Sequence, residues 1–330
     1  MKQVQFSQFG QPSMVAKTVE VPNLGDPLAW EVIVDIEAFP INPADLAMLA
    51  GRYGTTLRLP SPIGMEAVGI ISAVGSAVQD LHIGDRVVLL ANNNWGQQRK
   101  VPAAAVFKVP CDLDPLQLSM LKVNPSTAWM LLKRVADLKQ NDWIVQTAPL
   151  SSVGKCIIEI AKQSGVRVVN VVRRPGSEVE VSALGSDIAL CDGPNLAQRL
   201  RAMIGNAEIR YAFDAVGGDG VQRLSECLSE GATIVNYGML SNQACQLSCD
   251  QTIFRGISLK GFWLSKRLNR FTHAERKEHF DSLIELVKNK VLTLEIDSVF
   301  SFDKVHEAIA RAETLDRRGK VVVTVGERHA

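Results

Sequence analysis

From residue 143 to residue 264 the chain alternates short apolar runs with stretches of helical periodicity, and few folds accept that alternation. Residues 143–147, 166–172, 188–190, 209–214, 233–236 and 258–264 read as strands. Between them 153–162, 177–184, 196–203 and 221–228 read as helices, with Val153, Ile157, Ile160 and Ala161 on one face of the first. Short apolar strands separated by helices are the pattern of βαβ units. An α/β fold with a doubly wound parallel sheet is therefore predicted.

On either side the pattern changes. Residues 15–21, 31–38, 66–74 and 86–90 are strand-like runs, punctuated by Pro22, Gly25 and Pro27, by Pro60 and Pro62, and by Gly84. A short helix is predicted over 43–50, with Asn42 as N-cap and Pro43 in the first helical position. Another is predicted over 125–135. The tail reads as helix 273–290, strand 293–300, helix 302–314 and strand 320–325.

The 330 residues suffice for about two domains, and 46% hydrophobic with 22% charged residues is an ordinary globular balance. Thirty-six Lys and Arg against 35 Asp and Glu leave a formal charge of +1, which offers no case for a general nucleic-acid or anionic-membrane binder. No apolar run approaches the ~20 residues of a membrane span. Residues 1–6 carry neither an apolar signal core nor an Arg/Ser-rich transit pattern, so a soluble cytoplasmic protein is expected. Cys111, Cys156, Cys191, Cys227, Cys245 and Cys249 are scattered without a C-x-x-C, and read as free thiols.

The run from Ile144 to Gly154 passes from predicted strand to predicted helix. Small residues stand where a dinucleotide fingerprint has glycine: Ala148 first, Ser152 near the third, and Gly154 retained. A tight turn there would aim backbone N–H groups at a pyrophosphate, with the Ser151 and Ser152 hydroxyls as further donors. A plain strand–turn–helix connection has the same pattern. The following strand bears on the choice. An NAD site places an acid ~20 residues past the loop, on the ribose 2′-hydroxyl. Here the strand ends in Arg173 and Arg174, with no acid. Two guanidiniums suit a 2′-phosphate, which favours NADP over NAD; a solvated basic turn is the other reading.

Gly64-Met65-Glu66-Ala67-Val68-Gly69, Val74-Gly75 and Gly84-Asp85-Arg86-Val87 resemble the G-H-E-x-x-G…V-G…G-D-x-V signature of the medium-chain dehydrogenase/reductase superfamily. The resemblance extends over nearly the whole chain. It implies a GroES-like β-rich catalytic domain from residues 1–123 and 265–330, with a Rossmann cofactor domain, 124–264, inserted between. In zinc-dependent members the signature His and two cysteines bind metal. Those positions are Met65, Asn42 and Val123 here, and the four-cysteine structural lobe is missing. Thioether, amide and isopropyl groups cannot replace imidazole and thiolates around Zn²⁺, so no metal is expected.

Ile41-Asn42-Pro43-Ala44-Asp45, Gly51-Arg52-Tyr53-Gly54, Val123-Asn124-Pro125-Ser126-Thr127-Ala128, Ala215-Val216-Gly217-Gly218, Tyr237-Gly238-Met239-Leu240 and Gly261-Phe262-Trp263-Leu264-Ser265 resemble the zinc-independent 2-enoyl thioester reductase branch. That resemblance implies NADPH-dependent reduction of the C=C bond of an enoyl-CoA or enoyl-acyl-carrier protein, with Tyr53 catalytic, in a homodimer. It carries cofactor contacts to Asn42, Asn124, Thr127, Ser151, Ser152, Val153, Gly154, Arg173, Arg174, Tyr237, Gly238, Met239, Leu240, Phe262, Trp263, Leu264, Ser265 and Lys320. Trp95, Phe262 and Trp263 are candidates for the substrate side. Pro149-Leu150 in the cofactor loop, and Asn94-Trp95-Gly96, depart from the branch's pattern.

The chemistry asks for hydride at Cβ, a proton at Cα and stabilisation of charge on the thioester oxygen between them. A phenol of ordinary pKa, ~10, is protonated at neutral pH and donates without a metal. Of Tyr53, Tyr211 and Tyr237, only Tyr53 falls in a loop of the catalytic domain; a half-buried aromatic beside a turn is its structural alternative. Asn42 and Asn124 suit a carboxamide or carbonyl, and capping accounts for Asn42 as well. Phe262 and Trp263 either wall an acyl pocket or pack the sheet. Lys266, Arg267 and Arg270 either meet carrier phosphates or form a solvated face. The histidines show no ligand spacing, and His273 and His279 are expected on an exposed helix face. A quinone or enone reductase of the same superfamily, and a non-catalytic NADPH-binding sensor, are the competing readings.

Overall fold

The strand Lys320–Thr324 near the C-terminus pairs antiparallel with Glu31–Pro40, so the two β-rich ends of the sequence fold into one unit. The computed structural model describes residues 1–326 and divides into that unit, Met1–Val123 with the chain from Ser282 onward, and a second, Asn124–Asp281. In chain order the first contributes β1 (Lys2–Phe6), β2 (Lys17–Glu20), β3 (Glu31–Pro40), β4 (Ser61–Pro62), β5 (Val68–Val74), β6 (Arg86–Leu89), β7 (Gln98–Pro102) and β8 (Val106–Lys108). The second holds β9 (Trp143–Thr147), β10 (Arg167–Val172), β11 (Ile188–Cys191), β12 (Ile209–Asp214), β13 (Thr233–Asn236) and β14 (Ser258–Gly261). The chain then returns to the first unit for β15 (Ile296–Ser301) and β16 (Lys320–Thr324).

In the first unit β2, β1 and β4 form a small sheet. A larger one runs β15-β16-β3-β5-β6-β8, with β7 also paired to β3. Alternation along β3 buries Val32, Val34 and Ile36 with Phe6, Ile71, Leu89, Val321 and Val323. Phe39 stacks on Trp95 at 5.6 Å between ring centroids and meets Phe302 edge-on at 6.2 Å. The predicted strand 15–21 is divided: Pro12 opens a helix, Pro12–Val15, and only β2 is extended. β1 and β7 lie outside the predicted set because Lys-Gln-Val-Gln-Phe and Gln-Arg-Lys-Val-Pro carry too few apolar residues to show a strand pattern.

All pairings in the second unit are parallel, in the order β11-β10-β9-β12-β13-β14. The order reverses beside β9, and it is at the carboxyl ends of the strands at such a switch point that open α/β sheets bind their ligands. Val145, Val169, Ala212 and Ile234 are buried with Leu196, Leu200, Val221 and Leu224 of the covering helices. The predicted helix 125–135 runs Asn124–Met130 and then widens into a π-helical turn, Leu131–Val135. The predicted strand 258–264 stops at Gly261, and a helix, Leu264–Leu268, follows.

The boundary expected at 264/265 falls instead at 281/282, inside the helix His273–Lys288. Packing decides this. Trp129 and Phe271 close on His279 at 4.8 and 5.5 Å in the second unit, and Arg134 pairs with Glu278 at 2.8 Å. Farther along, Leu294 exchanges hydrogen bonds of 2.8 and 3.0 Å with Gln117 in the first unit. None of the described helices is long and apolar enough to cross a membrane.

Candidate active site

Parallel pairing brings the carboxyl ends of β9 to β14 to one edge, and most cofactor candidates of this unit fall there. β9 ends at Thr147. Ala148 takes φ +50°, and Ser151 caps the helix Ser152–Gln163 by accepting from the Gly154 N–H at 3.1 Å. A Cβ on Gly154 would lie 2.5 Å from the Ala148 carbonyl oxygen and 2.7 Å from Pro149 Cα, so only glycine lets the helix start this close to the strand. A helix that starts at such a turn offers its first N–H groups and its dipole to an anion. After β10, Arg173 and Arg174 stand exposed, and neither pairs with a carboxylate among the described residues.

Asp214, buried at the end of β12, ties the edge together. Its Oδ1 accepts from Thr147 Oγ1 at 2.7 Å, and its Oδ2 from the Gly217 N–H at 2.8 Å and Asn236 Nδ2 at 2.7 Å. Tyr237 follows. Its hydroxyl is buried near Ser151 without a well-aligned hydrogen bond, and burial, reinforced by Asp214, pushes its pKa up. Met239 and Leu240 are exposed; Phe262 is buried; Trp263 is half-buried with the Lys266 ammonium 4.7 Å from its ring centroid. A buried hydroxyl without a well-aligned hydrogen bond, a close strand–helix approach that only Gly154 permits, and two guanidiniums without carboxylate partners at the carboxyl ends of one sheet fit a nicotinamide dinucleotide.

In the first unit the zinc-ligand positions hold a buried network of charge. Asn42 precedes the helix Pro43–Leu49. Its N–H donates to Asp45 Oδ2 at 2.9 Å, and its Nδ2 to Glu66 Oε1 at 2.8 Å. Lys320 Nζ donates to Asn42 Oδ1. Glu66 Oε2 accepts from the Val123 N–H at 2.8 Å, and Asp45 Oδ1 from the Met65 N–H at 2.9 Å. Lys122 Nζ donates to the carbonyls of Met65 and Ala91 and to Asn92 Oδ1. Two carboxylates and two ammoniums, all buried, balance one another. Desolvation raises the Asp45 carboxyl to about 7 and pushes Glu66 up and Lys122 down. Zinc does not fit these residues. Their side chains are an amide engaged by Glu66 and Lys320, a thioether and an isopropyl group, with two ammoniums nearby. Among the described residues no group of three or more His, Cys, Asp or Glu is placed to hold a metal. Tyr53 stands half-buried in the turn after this helix and packs on the first unit's core.

Two family models match the chain: an alcohol dehydrogenase GroES-like domain over residues 29–108 and a zinc-binding dehydrogenase domain over 152–289. The mitochondrial enoyl-[acyl-carrier-protein] reductase of Dictyostelium discoideum is 33% identical over 98% of this chain and 94% of its own. This chain is a medium-chain dehydrogenase/reductase. It belongs with the enoyl-[acyl-carrier-protein] reductases of that superfamily and is an oxidoreductase that works with a nicotinamide cofactor. Among solved structures, a candidate NADPH:quinone reductase from Bacillus thuringiensis superposes with TM-score 0.91 at 26% identity, over 98% of both chains. The mitochondrial 2-enoyl thioester reductase heterodimer of Candida tropicalis superposes with TM-score 0.87 at 23% identity, over 98% of this chain and 99% of that one, a likeness of fold.

Within this medium-chain reductase the predicted residues fall into three groups. Ser151, Ser152, Val153, Gly154, Arg173, Arg174, Tyr237, Gly238, Met239, Leu240, Phe262, Trp263, Leu264 and Ser265 follow the ends of β9, β10, β13 and β14 on one edge, while Asn124 and Thr127 lie buried in the helix Asn124–Met130. Asn42 and Lys320 meet in the charge network of the first unit. Trp95 is the correction: 1% exposed, stacked on Phe39 and pressed against Gly64, it is a core residue and not a substrate wall. His279 is also corrected, since it is fully buried while His273 is exposed. Sequence reasoning missed Asp45, Glu66 and Lys122 as members of the network. The only available signal was an acid three residues past the Asn42 cap.

Proposed function

We propose that this enzyme reduces the C=C bond of 2-enoyl thioesters with NADPH. The observation that carries the cofactor choice is the pair of unpaired guanidiniums, Arg173 and Arg174, at the end of β10, where an NAD site has an acid. The relatives' activity, and a catalytic unit that lacks zinc donors at Asn42, Met65 and Val123 and whose only tyrosine is Tyr53, support the substrate. When bound, NADPH supplies the hydride. The Tyr53 hydroxyl holds the thioester oxygen or delivers the proton to Cα, doing as a neutral acid what a Lewis acid does elsewhere. Glu66 and Lys320 hold the Asn42 amide from its two ends, so that group is fixed before substrate arrives. The enzyme acts as a homodimer through β14, the edge strand of the parallel sheet, where Leu259 is exposed.

Tyr53→Phe keeps the ring and removes the hydroxyl. Turnover of crotonyl-CoA is expected to fall about 10²–10⁴-fold with NADPH affinity and melting temperature unchanged. The Bacillus neighbour favours a second reading, a quinone reductase, in which the proton comes from solvent and the variant keeps its activity on a quinone. Thioester turnover within a few-fold of wild type would make Tyr53 a packing residue and remove the proposed acid.

A further inference from the structure

Beyond Arg173 and Arg174 on the nucleotide edge stands an acid, Asp192. β11 ends at Cys191. The Asp192 N–H donates to the Val172 carbonyl at 2.7 Å, and Cys191 Sγ lies 3.8 Å from the Arg173 carbonyl oxygen. Asp192 is therefore one strand over from the two arginines, at the level where they begin. A free carboxylate there would repel a ribose 2′-phosphate, because like charges several ångströms apart still interact strongly near a protein surface. This carboxylate is not free. Arg223, on the helix Gly220–Glu226, donates Nε to Asp192 Oδ1 at 2.8 Å and Nη2 to Oδ2 at 2.7 Å, a bidentate pair. Asp219 accepts from Arg223 Nη1 at 2.8 Å, and the Gly193 N–H donates to Asp192 Oδ1 at 2.8 Å. Arg199 donates to the neighbouring Cys191 carbonyl at 2.8 Å. The Asp192 and Arg223 side chains are 25% and 29% exposed, so water screens the pair only in part.

We propose that Arg223 is a specificity-determining residue: by binding both oxygens of Asp192 it keeps an acid at the nucleotide edge from opposing the 2′-phosphate, and so sustains the choice of NADPH over NADH. The proposal rests on the NADPH reading above. Arg223 acts through Asp192, so it is a positioning residue whose effect appears in cofactor selection, not in hydride chemistry.

The test is to titrate NADPH and NADH separately into the purified full chain, without substrate, by nicotinamide fluorescence. Arg223→Met is expected to raise the Kd for NADPH about tenfold while that for NADH moves less than about threefold. Arg223→Gln, which keeps a hydrogen bond but no charge, gives the same loss with less disturbance of packing. Adding Asp192→Asn to either variant restores NADPH affinity, because the exposed charge is then gone; Asp192→Asn alone changes little. Equal loss for both cofactors, or no rescue by Asp192→Asn, would make the pair a structural tie and overturn the proposal. The joint Arg173→Ala, Arg174→Ala variant tests the underlying reading separately. If it leaves the NADPH preference intact, the 2′-phosphate is held elsewhere and both claims fall. If it abolishes the preference while Arg223→Met leaves it unchanged, only the role of Arg223 is lost.

Discussion

A neutral imidazole is what the packing around His279 demands. Trp129, Phe271 and Phe280 meet its ring edge-on, and Nε2 shares a 2.8 Å hydrogen bond with Ser126 Oγ. Desolvation lowers its pKa from 6.5 to about 3, with Arg134 adding to the shift. Between those values the unfolded chain binds a proton that the folded chain does not. Stability is therefore fully present above pH 6.5 and falls as pH falls toward 3, at up to ~1.4 kcal/mol per pH unit. Asp45 has the opposite sign: raised from 3.8 to about 7, it makes the folded state relatively less stable as pH rises through that window. A comparison of variants separates the two. His279→Gln keeps a partner for Ser126 and cannot titrate there. Its urea midpoint should lie below wild type at pH 7.5, and the gap should narrow steadily toward pH 4.5. A gap independent of pH would mean that folding leaves the His279 pKa at its unfolded value.

At the scale of elements, the strand–turn–helix of β9 and Ser152–Gln163 is where sequence pattern and geometry agree most closely. Ala148 and Ser152 replace two glycines of the usual fingerprint, yet the turn survives because Ala148 accepts φ +50° and Gly154 preserves the close approach. Gly154→Ala should push the helix away from the strand. The expected result is a loss of about 1–3 kcal/mol of stability and of most dinucleotide affinity, read by thermal melting and cofactor titration. Unchanged affinity for both cofactors would show that the turn does not cradle the pyrophosphate. The edge strand β14 was less legible. β14 is shorter than its apolar run because Gly261 ends the pairing and Leu264 begins a helix.

For the whole molecule the exposed edge has a consequence. Among the described residues β14 pairs only with β13, Leu259 is 39% exposed, and Ile253 and Phe254 just before it are 68% and 75% exposed. Edge-to-edge pairing of two copies would continue the six-stranded sheet and cover these side chains. Light scattering at micromolar concentration should report a dimer, and Leu259→Lys combined with Phe254→Glu should shift it toward monomer with each fold intact. A wild-type monomer would remove this assembly.

The sequence by itself determined the parallel sheet, since βα alternation leaves few other ways to bury strands so apolar, and it determined the unsuitability for zinc, since Asn42, Met65 and Val123 cannot supply its donors. It also placed Arg173 and Arg174 at a strand end, because the distance from the turn is a property of the chain. Only tertiary structure decided what lies across the chain from each residue. Asp45, Glu66, Lys122 and Lys320 are charged residues spread along the sequence, and no local pattern marks them as one cluster; folding buries them together, where each makes the others tolerable. Trp95 and His279 went the other way, from candidate wall and exposed face to core, because burial depends on neighbours such as Phe39 and Trp129 that no local pattern reveals.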